Sequence, residues 1–346
     1  MKIVIFAGGI GTRMWPLSRT NSPKQFDTIF NGKSTLQLAY DRVAPVFGKE
    51  NILIQTTKAY QKIIERQLKD LPKKNLILEP ARRDVGPAVF FAIHKLKETG
   101  YDGPMAIVWA DHLMDRVNEF TGALKMGKRL IEKNPSRFVF MAERPRFANN
   151  NLGWMKVGEK AGEMGKRDYF SFKGWKYKPT KIVCDRMYKS GDYYWNPGYF
   201  ITSVDFLDWC YKKLAPEIYS CVTGGKYEEC PRISFDKAII EKVNLKSAVI
   251  LKTNMGWSDP GTLYALKEAL EESSESNVTK GTVVTYETSD SLVYNLEKGK
   301  VVTTVGLKGM VVVNTEDAVV IVHKDNVVNI SDLVKEMKER KMDKFL

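Results

Sequence analysis

The chain has 346 residues, and 54 Lys and Arg against 41 Asp and Glu leave a formal net charge of +13. A hydrophobic content of 43% excludes a wholly disordered chain, and no run approaches the ~18 uninterrupted apolar residues of a membrane span. The length suits one large domain with a smaller one beside it.

The opening MKIVIFAGG has one basic residue and a short apolar run that ends in glycines, so it reads as a buried first strand and not as a signal peptide. The four cysteines, Cys184, Cys210, Cys221 and Cys230, make no C-x-x-C pair, which excludes zinc-ribbon and thioredoxin-type motifs. Reduced thiols in a cytoplasmic protein are expected. Only His94, His112 and His323 are available, which argues against a His-rich metal site, and no G-x-S-x-G turn supports a serine triad. The positive charge is spread along the chain, and acidic residues interleave with it even in the tail KEMKERKMDK. It supports steering of anionic ligands. No nucleic-acid-binding motif accompanies it.

In chain order, KIVIFA (2–7) is a β-rich run followed by a glycine-rich loop. A helix then carries Leu36, Ala39, Tyr40, Val43, Val46 and Phe47 on one face. Strands at 51–56, 75–80, 105–111 and 137–142 alternate with helical periodicity at 60–68, 85–96 and 117–134. This βαβ alternation predicts a doubly wound, mainly parallel α/β sheet. Such sheets bind ligands at the carboxyl ends of their strands, which directs attention to residues 8–25, 79–88 and 111–115. Residues 143–250 are less regular, and NNNLGWMKVG, FKGWKYKP and YYWNPGYF read as short strands and loops over one edge. A helix is expected over 235–243 and another from Thr262 to about Glu272. The polar EESSESN marks a boundary, giving a catalytic domain over 1–272 and a small all-β domain over 273–346. That second domain ends in a helix expected to be capped by Ser331.

The loop after the first strand is AGGIGTRMWPLSRTNSPKQF (7–26). A dinucleotide fingerprint fails because Met14 stands at the third glycine place. A P-loop ending in Gly32-Lys33-Ser34 fails because Asp27 stands at the first. Gly8, Gly9 and Gly11 would instead let backbone N–H groups approach phosphate oxygens with no Cβ in the way. Arg13 is a fork suited to outer phosphates, and Pro23 stiffens the segment that presents Lys24. Two cations on one loop suit a polyanion, although a glycine turn with two solvated cations would look the same.

The full string resembles the signature of the sugar nucleotidyltransferases, G-G-x-G-T-R-x-x-P-L followed by P-K. Trp15 before Pro16, and Gln25-Phe26 after Lys24, resemble its mannose-1-phosphate guanylyltransferase (GDP-mannose pyrophosphorylase) branch. ADH at 110–112, WNPGYF at 195–200, ISFDKAIIEK at 233–242 and GWSDPG at 256–261 extend the resemblance over essentially the whole chain. It implies nucleotidyl transfer from an NTP to a sugar 1-phosphate, with Arg13 and Lys24 catalytic and Gly8, Gly9, Gly11 and Thr12 at the nucleotide. It places Mg²⁺ on Asp111 and Asp259, and the sugar phosphate near Gly153, Lys178 and Asn196. Asp259 could instead cap the helix that follows it. Glu79 at a strand end could accept the N1–H and N2–H₂ edge of guanine, or face solvent, or pair with Arg82 or Arg83. Pro87 and Ala88 could wall the purine.

The chain departs from the family pattern at Asn151, at Asp84-Val85-Gly86, at Tyr177 before Lys178-Pro179, and at Pro197. These changes fall on the sugar and base side while the phosphate and metal residues are intact, so the reaction implied by the resemblance, GMP transfer from GTP to mannose 1-phosphate, is expected with its sugar or base open to change. A different hexose or heptose 1-phosphate, or a nucleotide-sugar-binding regulatory module without turnover, are the alternatives. The resemblance also implies a left-handed β-helix at the C-terminus, used in self-association, so a homodimer is expected. No isomerase activity is expected at this length.

Overall fold

A computed structural model describes residues 1–9, 11–19, 23–26, 32–177 and 179–346. Lys178 therefore lies outside the described residues. By contacts the chain divides into two compact units that are discontinuous in sequence. One comprises Met1–Gly8, Ala39–Ala110 and Met114–Trp257; the other comprises Gly9–Leu38, Asp111–Leu113 and Ser258–Leu346. From Gly9 onward the glycine loop thus packs with the C-terminal residues.

In chain order the elements are β1 (Lys2–Phe6), α1 (Thr35–Phe47), β2 (Ile52–Thr57), α2 (Gln61–Gln67), β3 (Leu76–Glu79), α3 (Val85–Glu98), β4 (Pro104–Trp109), α4 (Val117–Lys133) and β5 (Phe138–Glu143). There follow β6 (Gly153–Met164), β7 (Arg167–Tyr177), α5 (Lys181–Ser190), β8 (Tyr193–Trp195), β9 (Phe200–Ser203), α6 (Val204–Leu214), α7 (Pro216–Thr223), α8 (Phe235–Ala238) and β10 (Ala248–Thr253). The chain closes with α9 (Leu263–Leu270), β11 (Val278–Lys280), β12 (Val283–Tyr286), β13 (Leu292–Asn295), β14 (Val302–Val305), β15 (Met310–Asn314), β16 (Val319–His323) and α10 (Ile330–Glu339).

The first unit holds a ten-stranded sheet in the order β10-β7-β6-β8-β5-β9-β4-β1-β2-β3. Its β3-β2-β1-β4 part is parallel, as the βαβ alternation predicts. β1 and β4 read as continuous apolar runs because helices cover both faces of such a sheet. Ile3, Val4, Ile5, Ala106 and Val108 are completely buried. Asp84 caps α3 by accepting from the N–H of Val85 at 2.7 Å, which places Pro87 and Ala88 in the first turn just beyond the end of β3.

The middle of the chain corrects the sequence expectation. β6 and β7 are strands of 12 and 11 residues that pair antiparallel within the sheet, not short pieces over its edge. Register shifts between Lys156 and Gly162 break the two-residue alternation and hide the strands from a periodicity reading. The helix expected over 235–243 stops at Ala238, and a separate tight turn follows at Ile240–Lys242. The adjacent β-branched Ile239 and Ile240 disfavour continuation, and Ile239 leaves the helical region at φ −127°.

In the second unit β11, β13 and β15 stack in parallel, β16 adds antiparallel to β15, and β12 pairs parallel with β14. This is the all-β, β-helix-like module. Leu292, Val311 and Val313 form its core together with Leu263 and Leu266 of α9 and Met14 and Trp15 of the glycine loop. The final helix starts at Ile330 with Asn329 at its cap position, so Ser331 is not the cap; its hydroxyl donates to the carbonyl of Val328 at 3.2 Å.

Candidate active site

In the second unit the glycine loop makes a tight turn. Gly11 sits at φ +68°, and a Cβ there would lie 2.8 Å from Ser18 Oγ and 3.1 Å from Lys24 Cγ, so only glycine fits. Gly9 is exposed and faces open space, so a Cβ there would meet nothing within 4 Å. The loop is stapled from within: Ser18 Oγ accepts from the N–H of Lys24 at 3.0 Å, and Gln25 Nε2 donates to the carbonyl of Gly9 at 2.8 Å. Thr12 and Arg13 lie in one short 3₁₀ turn, and Arg13 is exposed.

Asp111 and Asp259 come from distant parts of the chain, and one short pairing unites them. Leu113 N–H donates to Ser258 O at 3.0 Å, and Ser258 N–H donates back to Leu113 O at 3.2 Å. This register sets the two carboxylates side by side. Lys24 Nζ sits 2.8 Å from Asp111 Oδ2 and 3.8 Å from Asp259 Oδ1, and it donates to the carbonyl of Pro260 at 3.3 Å. Burial alone would push the Lys24 ammonium down, but the charges of Asp111 and Asp259 outweigh it and the value is raised. Burial would likewise raise the Asp111 carboxyl. Lys24 overrides it, His112 adds to the effect, and the group lies well below the usual carboxylate range. Gly261 lets the neighbours close in, since a Cβ there would stand 3.2 Å from Asp259 Oδ1 and 3.5 Å from Arg13 Nη2. The alternative role of Asp259 as a helix cap is not observed: Thr262 caps α9 by accepting from the N–H of Ala265 at 3.1 Å.

Two carboxylates aimed at one cation are an oxygen donor set suited to Mg²⁺, which typically takes one or two carboxylates and completes its shell with phosphates and water. The Lys24 ammonium between them shows that the arrangement accepts a positive charge. Among the described residues no group of three or more His, Cys, Asp and Glu converges, so a protein-only metal cage is not what this geometry offers.

In the first unit Glu79 ends β3 and is buried, so it does not face solvent. Tyr227 OH donates to Glu79 Oε2 at 2.7 Å, Gln55 is a further hydrogen-bond partner, and Arg82 is felt as a charge. Burial raises the carboxyl, and these three neighbours oppose it without cancelling it. Gln55 Nε2 also donates to the carbonyl of Ala88 at 2.6 Å, so Gln55 ties Glu79 to the first turn of α3, where Pro87 and Ala88 are buried. Gly8 lies beside this carboxylate, for a Cβ there would be 3.7 Å from Glu79 Oε1.

Gly153 and Asn196 also meet. Asn196 N–H donates to Gly153 O at 2.8 Å, and Asn196 Oδ1 accepts from the N–H of Gly198 at 2.9 Å. The ring of Tyr177, 75% exposed, approaches the same place, 3.8 Å from a Cβ built on Gly153.

Sequence reasoning missed Gln55 and Tyr227. It also missed Glu143, a buried carboxylate that accepts from Met255, Gly256 and Trp257 N–H and from the hydroxyl of Thr253. No local signal marks any of them. Their partners are far away in sequence.

Residues 2–276 match the family model described as nucleotidyl transferase, and 281–337 match a mannose-phosphate isomerase/GMP-like β-helix domain. The chain belongs to the nucleotidyl transferase family. Within it, the chain sides with the mannose-1-phosphate guanylyltransferases. It is 31% identical to the mannose-1-phosphate guanylyltransferase of Escherichia coli K12, over 97% of this chain and 73% of that one. It is 30% identical to the alginate biosynthesis protein AlgA of Pseudomonas aeruginosa, over 96% and 71%. A crystal structure described as mannose-1-phosphate geranyltransferase from Thermus thermophilus matches with a TM-score of 0.85 and 25% identity, covering 97% of this chain and 99% of that one. The transferase therefore acts on a nucleoside triphosphate and a sugar phosphate. Among its described residues no helix is long and apolar enough to cross a membrane.

Proposed function

We propose that this transferase moves GMP from GTP to mannose 1-phosphate with Mg²⁺, giving GDP-mannose and pyrophosphate. The convergence of Asp111 and Asp259 on one cation position carries the reading. A phosphate oxygen of the sugar 1-phosphate forms the new bond to the α-phosphorus, the α–β bridging P–O bond breaks, and the electron pair leaves on pyrophosphate. The nucleophile is already an anion, so the chain needs no general base. Its work is alignment and relief of repulsion between two anions.

Bound Mg²⁺ would supply neutralisation of phosphate charge and a template for the reacting oxygens, held by Asp111 and Asp259. Arg13, exposed beside the Asp259–Gly261 turn, binds the departing pyrophosphate. Lys24 bridges the α-phosphate and the incoming phosphate. Backbone N–H groups at Gly8, Gly9, Gly11 and Thr12 cradle the triphosphate. Glu79 accepts from the guanine edge, with Pro87 and Ala88 beside it. Gly153, Asn196 and Lys178 bind the sugar phosphate. The exposed ring of Tyr177 beside Gly153 and Asn196 favours a second reading, in which the reaction is kept and the sugar is another hexose or heptose.

The free thiols of all four cysteines support a cytoplasmic enzyme. Val319 and Ile321, exposed on the edge strand β16, support a homodimer formed through the β-module.

The test is pyrophosphate release over a panel of NTPs and sugar 1-phosphates, with and without Mg²⁺. GTP with mannose 1-phosphate is expected to be the best pair, and Asp111→Asn and Asp259→Asn are each expected to lose about 100-fold or more in turnover while folding normally. A better rate with another sugar rejects the substrate and keeps the mechanism. Near-normal turnover in either variant rejects the metal assignment.

A further inference from the structure

The same ammonium that the mechanism gives to the substrate phosphates rests against both carboxylates of the clamp. Lys24 Nζ has three oxygen neighbours, Asp111 Oδ2 at 2.8 Å, Asp259 Oδ1 at 3.8 Å and the Pro260 carbonyl at 3.3 Å. Its side chain is only 10% exposed. Two of the three N–H donors of the ammonium are taken at hydrogen-bond distance, by Asp111 and the Pro260 carbonyl, and Asp259 adds a longer charge contact. A divalent cation and an ammonium compete for the same lone pairs and repel one another at contact distance.

We propose that Lys24 is an internal counter-ion that holds the metal position closed, and that a divalent cation binds only as the ammonium leaves it. This rests on Asp111 and Asp259 being the metal-holding pair. The backbone of Lys24 is pinned by Ser18 Oγ, and Gln25 beside it is tied to Gly9, so the exchange needs only the flexible four-carbon stem to swing. A nucleotide triphosphate gives the displaced ammonium a new anion to meet. Metal and nucleotide therefore assist each other's binding, and the metal alone binds weakly. The linkage is reciprocal: whatever the nucleotide adds to metal affinity, the metal adds to nucleotide affinity.

The probe is Mn²⁺, titrated without nucleotide and followed by the electron paramagnetic resonance of the free ion. The proteins are the wild type, Lys24→Met and Asp259→Asn, each checked for its native circular dichroism. Lys24→Met is expected to bind Mn²⁺ about tenfold or more tightly than the wild type, one step of the affinity scale, although it has lost turnover. Equal or weaker binding by Lys24→Met, with wild-type binding that disappears in Asp259→Asn, overturns the counter-ion proposal and keeps the metal pair. Binding that ignores Asp259 overturns both.

A second measurement uses the wild type alone. Limiting acetic anhydride labels exposed amines, and mass spectrometry reads the modification of Lys24. Saturating Mn²⁺ is expected to raise that modification several-fold, because the ammonium has left its buried place. An unchanged or reduced modification overturns the proposal.

Discussion

Oε1 of Glu143 accepts the N–H of Gly256 at 2.9 Å, joining the end of β5 to a segment more than a hundred residues later. The same carboxylate also takes the N–H groups of Met255 and Trp257 and the hydroxyl of Thr253, and Glu143 is 1% exposed. A buried charge survives only when its lone pairs are filled in this way. Glu143→Ala would leave three backbone donors without a partner. The expected loss of stability is about 3–5 kcal/mol, with Glu143→Gln losing less, measured by urea unfolding.

Two neighbouring glycines should behave differently. Gly11→Ala places a Cβ against Ser18 and Lys24 at a left-handed φ, and is expected to cost about 1–2 kcal/mol and most of the turnover. Gly9→Ala meets no protein atom, so stability should change by less than about 0.5 kcal/mol. Its expected effect is a raised KM for the nucleotide, because the added methyl intrudes where phosphate oxygens approach the backbone. Thermal unfolding and steady-state kinetics on both variants separate the two roles.

Glu79 gives a pH signature. Burial raises its carboxyl above the ordinary value in spite of Tyr227, Gln55 and Arg82, so the carboxylate is less favourable in the folded protein than in the unfolded chain. Stability from this group is fully present below the unfolded value of about 4.3, and it is lost as pH rises through the raised folded value. Glu79→Gln is therefore expected to raise Tm at pH 7, with the gain vanishing near and below about pH 4. It should also lower kcat/KM for GTP by about tenfold to a hundredfold by removing a charged acceptor.

Asp290 should show the opposite sign. Lys267, whose side chain is fully buried, meets Asp290 Oδ1 at 2.6 Å, Lys324 meets Oδ2 at 2.6 Å, and Tyr264 donates to Oδ1 at 2.6 Å. Burial alone would raise Asp290, but these three partners more than reverse it and the carboxyl is lowered. Its stabilisation is present above the unfolded value of about 3.9 and is lost as pH falls through the lowered folded value. Asp290→Asn, which leaves a buried ammonium short of charge, is expected to cost about 3–5 kcal/mol at pH 7. The difference from wild type should shrink in acid, as followed by denaturation at several pH values.

The parallel half of the sheet was legible because β1 to β4 are short apolar runs separated by helical periodicity, and each signal lies within a few residues. The long β6–β7 pair was not, since its bulges break the alternation that a reader counts. At the site, the glycine loop and its two cations were legible as one contiguous string. Glu143, Gln55 and Tyr227 were not, because a buried polar residue looks ordinary until its distant partner is known.

The order of residues alone determined the chemical inventory: a glycine loop, an arginine, a lysine and two aspartates after predicted strand or turn positions. These are local properties of the chain. Tertiary structure decided that Asp111 and Asp259 face one point, through the mutual hydrogen bonds of Leu113 and Ser258. It also decided that Lys24 stands between them. Strand register between remote segments follows from how the whole core packs, and no short stretch of sequence carries that information.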